Sequence, residues 1–136
     1  MQLIGSGGYF GSGSGLHGDI GNGAGSWLST SVNYPFTFTQ NVWYHIIIVF
    51  TTTGWTMYLN GRQVSSGTLS GTPSLLDTNS YLLIGAYSKT GANNFKGSIA
   101  NVQLYNTALS AQQVSQLYDS SMPVTSSINI PVGWSP

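Results

Sequence analysis

Cysteine is absent from this chain of 136 residues. A disulfide framework and a thiolate zinc site are therefore both excluded, and cysteine usage gives no indication of the redox compartment. The length suits a single domain, which buries roughly two thirds of the surface that its unfolded chain exposes. We expect a hydrophobic core, rather than covalent cross-links, to hold the fold together.

Charged residues are scarce. They make up 4% of the chain, glutamate is absent, and the formal net charge is +0, whereas ordinary soluble domains contain about 25% charged residues. Three scattered cations form no basic surface, so neither nucleic acid nor an anionic membrane is expected as a partner. Hydration must depend on uncharged polar side chains, which respond little to pH or salt. This surface points to a protein outside the cell, with compositional drift in an intracellular protein as the alternative.

Long apolar runs and export signals are missing as well. The sequence has no run of 18 apolar residues and no charged-then-apolar leader, so it predicts no membrane insertion and shows no export signal as written. The N-x-[ST] motif is also absent. N-glycosylation through that signal is therefore not expected, while glycosylation of Ser and Thr stays open.

The strongest structural signal lies between residues 43 and 61. An apolar run at 43–50 precedes a second strand pattern at 55–59, and Asn60-Gly61 closes the second strand. Asn-Gly between two apolar runs favours a type I′ hairpin turn, because both central residues of that turn need positive φ. The sequence therefore predicts a β-hairpin with its corner at Asn60 and Gly61.

A two-residue turn also predicts how the two arms of this hairpin pair. The expected pairs are Leu59 with Arg62, Tyr58 with Gln63, and Met57 with Val64. The period of two then places four apolar side chains on one face, which we expect to be core: Trp55, Met57, Leu59 and Val64. The preceding segment, 46–50, is apolar without strict alternation, which indicates a strand covered on both faces. We also assign Trp43 to the core.

Residues 1–26 are rich in Gly and Ser, which on its own is typical of a flexible linker. However, apolar residues such as Leu3, Leu16 and Ile20 recur between the glycine clusters, as in short strands joined by tight turns. Short strands are the preferred interpretation. The Gly-rich loops do not match the P-loop motif G-x-x-x-x-G-K-[ST], so a phosphate site is not indicated.

Further strands are predicted beyond the hairpin. Residues 81–87 form an apolar run, and residues 95–105 alternate like a half-buried strand. Near the end of the chain, residues 124–132 alternate again, and Pro131 predicts an edge strand or an arm there.

One short helix is predicted at residues 111–118. Ser110 is a favourable N-cap, and Gln113 can complete a capping box with it. Leu109 can pack onto Val114 as a hydrophobic staple. Because so short a helix is marginal alone, we expect it to lie on the sheets.

These segments together resemble a known family. The resemblance rests on residues 43–46, 57–62, 82–85 and, above all, 95–106 with the helix that follows. They are similar to the laminin G-like branch of the concanavalin A-like lectin/glucanase superfamily, over about residues 43–118. The resemblance implies an all-β fold, an antiparallel jelly-roll β-sandwich with one short C-terminal helix. It also implies an extracellular binding or adhesion module, often one part of a larger protein.

That family opens with strands ahead of the segment that resembles residues 1–40, so we expect its N-terminal strands to be missing from this chain. We expect residues 1–121 to form the sandwich and residues 122–136 a C-terminal strand or arm. The chain would then be a fragment, a trimmed variant, or a protomer completed by another chain. In the last case the tail would donate a strand to a neighbour's sheet edge, with three assembly residues: Ile128, Ile130 and Val132. The alternative is a tail that folds back onto its own sandwich.

Metal binding and catalysis are both disfavoured. Some laminin G-like domains bind calcium, but a hard cation usually needs several oxygen ligands with anionic help, and only Asp77 lies in a suitable loop. No metal or other cofactor is therefore predicted. Glycoside hydrolysis needs a pair of carboxyl groups about 5 to 10 Å apart, which a chain without Glu and with widely spaced Asp does not offer. His17 and His45 are possible bases, but a structural role is favoured for His45, and the chain is predicted not to be an enzyme.

Two functions from different classes remain. The first is a non-catalytic extracellular module for carbohydrate binding or adhesion, whose aromatic side chains stack on sugars while amides bond hydroxyl groups. Its candidate contacts are Tyr87, Asn93, Asn94, Tyr34 and Trp27, each of which could instead be a turn or core residue. The second is a structural subunit of a surface filament, coat or virion that assembles through its termini by strand exchange. The expected partner is accordingly a glycan, a cell-surface or coat protein, or another copy of the chain.

Overall fold

The computed structural model describes residues 2–4, 14–23, 27–74, 83–86 and 94–121. Six strands and one helix occur in these residues. In chain order they are β1 (Gln2–Ile4), β2 (Gly15–Gly21), β3 (Trp27–Pro35), β4 (Ile46–Phe50), β5 (Gly54–Leu59), β6 (Arg62–Thr68) and α1 (Ala111–Ser121).

The strands form two antiparallel sheets. The first sheet has the order β1-β2-β3, and the second has the order β4-β5-β6. Buried side chains from both sheets make one core cluster between them: Leu16, Val32, Trp55, Met57 and Leu59. Because each sheet gives one apolar face to this cluster, the arrangement is a β-sandwich, which confirms the predicted fold class.

The hairpin turns at the predicted corner. Asn60 has a φ of 50° and Gly61 a φ of 75°, as a type I′ turn requires. The pairs of Leu59 with Arg62 and of Tyr58 with Gln63 are confirmed. The third predicted pair is wrong, since a register shift places the partner of Met57 one residue beyond Val64, at Ser65.

The register shift is a β-bulge, in which one extra residue enters β6 and locally disrupts the ladder. It does not remove Val64 from the interior, because this side chain still packs against the core cluster. Trp55, Met57 and Leu59 are buried in that cluster as predicted. The core face of the hairpin was therefore predictable even though one of its pairs was not.

Strand β4 is covered on both faces, as its unbroken apolar pattern predicted. Ile46, Ile48 and Phe50 pack against the core between the sheets. On the opposite face, Val49 is buried in a second cluster with Val114 of α1. The second sheet is therefore the middle layer of a three-layer stack in this part of the molecule.

Helix α1 starts with the predicted capping box. The backbone N–H of Ser110 donates to Oε1 of Gln113 at 2.8 Å, and the N–H of Gln113 donates to Oγ of Ser110 at 3.3 Å. Leu109 packs against the cluster that contains Val114, so the predicted staple is confirmed. The helix ends at Ser121, three residues later than predicted.

The glycine-rich N-terminal region contains strands in the part that the structure describes. Strand β2 pairs with both β1 and β3, and Leu16 and Ile20 of β2 are buried. The preferred interpretation of short strands is therefore confirmed for β1 and β2.

Two of the later strand predictions are wrong for the residues described. Residues 83–86 and 94–105 belong to no strand. Left-handed backbone conformations interrupt both segments, since Gly85 has a φ of 75° and Asn101 a φ of 52°. Positive φ lies outside the backbone conformation of a regular strand. The predicted tail at 122–136 lies outside the described residues. Within the described residues, no helix is long and apolar enough to cross a membrane.

Candidate ligand-contact surface

A ten-residue connection, residues 36–45, leads from β3 of the first sheet to β4 of the second. Trp43 lies in this connection with 67% of its surface exposed, and the neighbouring Val42 is 50% exposed. The assignment of Trp43 to the core is therefore wrong. Because β4 begins only at Ile46, strand periodicity does not apply to Trp43. We call residues 36–45 the Trp43 loop.

The Trp43 loop is held in place by three aromatic rings at its base. The centroids of Phe36 and Phe38 lie 4.9 Å apart, and the ring of Tyr44 lies 5.4 Å from Phe36 and 5.2 Å from Phe38. All three pairs are edge-to-face, the geometry that aromatic quadrupoles favour. The three rings also pack against the core cluster, so the loop is anchored to the interior of the sandwich.

Two backbone features fix the tip of the Trp43 loop. The N–H of Thr39 donates a hydrogen bond of 3.0 Å to the hydroxyl of Tyr44. Asn41 has a φ of 61°, a left-handed conformation that Asn tolerates better than most residues. The loop therefore presents the exposed Trp43 from a constrained backbone.

Three of the five residues predicted as ligand contacts lie in the described part of the chain. Tyr34 is half-buried in β3, where its ring stacks on Phe36 with a centroid distance of 6.1 Å and packs against the core cluster. Asn94 is exposed in a segment without regular structure. The backbone of Trp27 lies at the start of β3. The remaining predicted site and assembly residues lie outside the described residues: Tyr87, Asn93, Asp77, Ile128, Ile130 and Val132.

A polar cluster lies on the outer face of the first sheet. His17 is fully buried, with its Nδ1 2.5 Å from Oδ1 of Asn33 and its Nε2 3.0 Å from Oδ2 of Asp19. Since Leu16 faces the core, alternation places His17 on the opposite face. The contact between His17 of β2 and Asn33 of β3 joins the two strands, and Asp19 of β2 holds the other ring nitrogen of His17.

His45 occupies a different environment, beside the helix. Its backbone N–H donates to Oδ1 of Asn60 at 3.0 Å, and its ring lies 5.8 Å from the ring of Tyr118. Burial removes water from the imidazole and lowers the pKa of His45 from its ordinary value of 6.5. The contacts link the corner of the hairpin to α1, so His45 has a structural position.

The described residues bring few charged groups together. No group of three or more His, Cys, Asp or Glu side chains capable of holding a metal ion occurs among them. Between Asp19 and Arg62 the sequence contains no charged residue at all, and this stretch includes the whole Trp43 loop. The loop itself therefore offers a ligand aromatic, hydroxyl and amide groups and no Asp, Glu, Lys or Arg side chain.

Sequence reasoning missed the Trp43 loop because residues 43–50 form one unbroken apolar and aromatic run. The polar residues Thr39, Gln40 and Asn41 immediately before it were the available signal, since such a cluster is typical of a turn. That cluster indicates a loop, although it does not say where the following strand begins.

The comparisons with known proteins show the family. The Laminin_G_3 family model, which describes the concanavalin A-like lectin/glucanases superfamily, matches residues 5–115. The chain therefore belongs to this superfamily. The match begins well before residue 43, so it includes β2 and β3 in addition to the segments that carried the resemblance.

Two individual proteins are also similar to the chain. Sushi, von Willebrand factor type A, EGF and pentraxin domain-containing protein 1 of Rattus norvegicus is 34% identical over 89 residues, which cover 60% of this chain and 2% of that protein. The chain thus matches a small part of this relative. The crystal structure of an S-layer domain-containing protein from Clostridium thermocellum ATCC 27405 has a TM-score of 0.49 and 19% identity, covering 85% of this chain and 49% of that one.

Proposed function

We propose that this domain is a non-catalytic extracellular module that binds neutral glycans in adhesion. The observation that carries the proposal is the sparsely charged surface, on which the Trp43 loop presents an exposed aromatic side chain. Sugars without acidic groups offer hydroxyls for hydrogen bonds and C–H faces for stacking, so aromatic, hydroxyl and amide side chains suffice to bind them. Domains of this family are typically binding modules, which supports the proposal.

The carboxylates in the described part of the chain favour binding over hydrolysis. Asp19 lies with His17 on the outer face of the first sheet, whereas Asp119 belongs to α1, which covers the outer face of the second sheet. Packed sheets are about 10 Å apart, so two carboxyl groups on opposite outer faces lie farther apart than glycosidases require.

An extracellular location is part of the proposal. The relative named for sushi, von Willebrand factor type A, EGF and pentraxin domains is a multidomain protein by its name, and a laminin G-like domain in such a setting supports placement outside the cell. The scarcity of charge on the surface fits the same placement, because interactions of uncharged polar groups change little with pH or salt.

A glycan array tests the function. The purified chain is applied to neutral and to sialylated or sulfated glycans, at about 0.05 M and about 0.5 M NaCl. We expect binding to neutral glycans that changes less than about twofold between the two salt concentrations, because no ion pairs form. Binding to no glycan, or binding confined to acidic glycans and lost at high salt, would show that the proposal is wrong.

A second candidate function is a structural subunit of a surface filament, coat or virion. The observation that favours it is the number of large apolar side chains exposed in the described residues, among them Leu104 at 78%. Apolar surface of this kind often marks contacts between proteins. Strand exchange through the termini would supply such contacts.

Light scattering on the full chain and on a chain ending at Ser121 tests this second function. Large assemblies of the full chain, with a small or unfolded shorter chain, would support strand exchange through the tail. A folded monomer in both cases would exclude it and leave the glycan-binding function.

A further inference from the structure

We propose that Trp43 is the stacking platform for the sugar, with the flat face of an uncharged pyranose ring lying on its indole. This inference rests on the proposed function and adds the binding site. The amides of Gln40 and Asn41, both exposed in the same loop, are close enough in sequence to bond hydroxyl groups at the edge of the sugar ring. None of the residues proposed from the sequence belongs to this site.

The exposure of Trp43 is the first argument. Tryptophan has the largest side chain, and 67% of the surface of Trp43 is left in water. The fold therefore does not obtain the favourable free energy that burial of this apolar area would give. The neighbouring Val42 widens the apolar patch, with 50% of its own surface exposed. A ligand that covers the indole recovers this gain, and the C–H face of a pyranose matches the ring in shape and polarity.

The constrained backbone of the Trp43 loop is the second argument. Phe36, Phe38 and Tyr44 pack edge-to-face beneath it, and Tyr44 also accepts the hydrogen bond from the N–H of Thr39. Ordering a mobile loop on binding costs free energy, and a loop that is ordered beforehand avoids much of this cost. The loop is therefore built to hold Trp43 out in solvent rather than to let it fold back onto the sandwich.

The chemistry around Trp43 selects the ligand class. The residues of the loop carry no formal charge, and the nearest charged residues along the chain are Asp19 and Arg62. The loop itself offers no cation to a phosphate, sulfate or carboxylate group, whereas its amide and hydroxyl groups can bond the hydroxyl groups of a sugar. The site therefore fits a neutral hexose rather than an acidic sugar or a nucleotide.

Titration calorimetry with the best neutral glycan from the array tests the site on the full chain. We expect Trp43→Ala to weaken binding about tenfold or more, and Trp43→Phe to retain most of the affinity because an aromatic face remains. Leu104→Ala is the matched control, since it also removes an exposed apolar side chain, and it should change the affinity less than twofold. Circular dichroism is measured on each variant to check its fold.

Tryptophan fluorescence gives a second measurement, which can be made even if the Trp43→Ala variant does not fold. Addition of the glycan should shift or quench the emission of the unaltered chain, and Trp43→Phe should bind the glycan with little of this change. An unchanged spectral response in Trp43→Phe would show that the sugar lies elsewhere.

The outcomes separate the site from the function. If the unaltered chain binds a neutral glycan and Trp43→Ala binds it equally well, the site is wrong and the proposed function stands. If the unaltered chain binds no neutral glycan, the function fails and the site fails with it. Loss of binding in Trp43→Ala, with retention in Leu104→Ala, would support both.

Discussion

Gly61 lies directly beneath the ring of Tyr118: a β-carbon at Gly61 would be 3.0 Å from both Cβ and Cδ1 of Tyr118. This contact joins the corner of the hairpin to α1. The ring of His45, the residue before β4, faces the same tyrosine. Two sequence-distant segments, the Asn-Gly turn and the C-terminal helix, therefore meet at one residue.

Replacement of Gly61 by Ala should destabilise the fold for two reasons. The φ of 75° at Gly61 costs a residue with a β-carbon roughly 1–2 kcal/mol, and the new methyl group would press on Tyr118. We expect the two effects together to lower the free energy of unfolding by more than about 2 kcal/mol, as measured by urea denaturation. Gly61→Asn is the matched control, because Asn tolerates the left-handed conformation but also has a β-carbon. Compared with Gly61→Ala, it should avoid most of the backbone cost and keep the loss of stability caused by contact with Tyr118.

A double-mutant cycle with Tyr118→Ala isolates the part of the steric contact that involves the ring of Tyr118, because alanine keeps the β-carbon. The two changes should be non-additive by roughly 0.5–3 kcal/mol, as expected of residues in contact. Additivity to within about 0.5 kcal/mol would show that the turn and the helix do not press on each other in solution.

The capping box predicts a local effect at the start of α1. Ser110→Ala removes the acceptor of the Gln113 N–H and should lower the free energy of unfolding by about 1 kcal/mol. Ser115→Ala is the matched control, because Ser115 is exposed within the helix and alanine has the higher helix propensity there. Its effect should be neutral or slightly stabilising. Equal losses from both changes would mean that the cap contributes nothing specific.

The features predicted correctly from the sequence are those set by neighbouring residues. Asn60-Gly61 determines a turn because only a few residue types adopt positive φ at low cost, and Ser110 with Gln113 caps a helix through bonds three residues apart. Both signals act over a few residues, so no knowledge of the tertiary structure was needed. The alternation of Trp55, Met57 and Leu59 likewise identified the core face.

The features predicted incorrectly depend on tertiary context. Trp43 continues an apolar run in the sequence, but β4 begins only at Ile46, which pairs with Leu59 at the end of β5. Asn101 interrupts the strand pattern at 95–105 with a left-handed backbone, a conformation that alternation of apolar residues does not reveal. The candidate site was missed for the same reason, because exposure of a large aromatic side chain is a property of the folded molecule.

The environment of His45 predicts a pH dependence of stability. Burial lowers its pKa in the folded state, so between the two pKa values the unfolded chain binds more protons than the folded chain. Stability should therefore be fully present above the unfolded value of about 6.5 and decline as the pH falls below it, levelling off beneath the lowered folded value. Urea denaturation from pH 8 to pH 5 measures this decline.

His45→Gln tests the assignment of that pH dependence to His45. Glutamine does not titrate, so the decline in stability below pH 6.5 should be shallower in the variant. Identical slopes in the two proteins would show that His45 is not the group responsible.

The hydroxyl of Tyr44 should control the rigidity of the Trp43 loop. Tyr44→Phe keeps the ring among Phe36 and Phe38 but removes the acceptor for the N–H of Thr39. Hydrogen exchange at the Thr39 amide should then become roughly two- to tenfold faster, which corresponds to the loss of one ordinary hydrogen bond. NMR-detected exchange measures this rate residue by residue. Because the core contacts of the ring persist, the free energy of unfolding should fall by less than about 1 kcal/mol.

Tyr34→Phe is the control for this change, because it removes a hydroxyl from the adjacent aromatic ring and leaves the bond between Thr39 and Tyr44 intact. Exchange at Thr39 should be unaffected in this variant. If Tyr44→Phe leaves the exchange rate unchanged as well, the hydroxyl does not hold the loop. In that case the aromatic packing of Phe36, Phe38 and Tyr44 alone would have to account for the exposed position of Trp43.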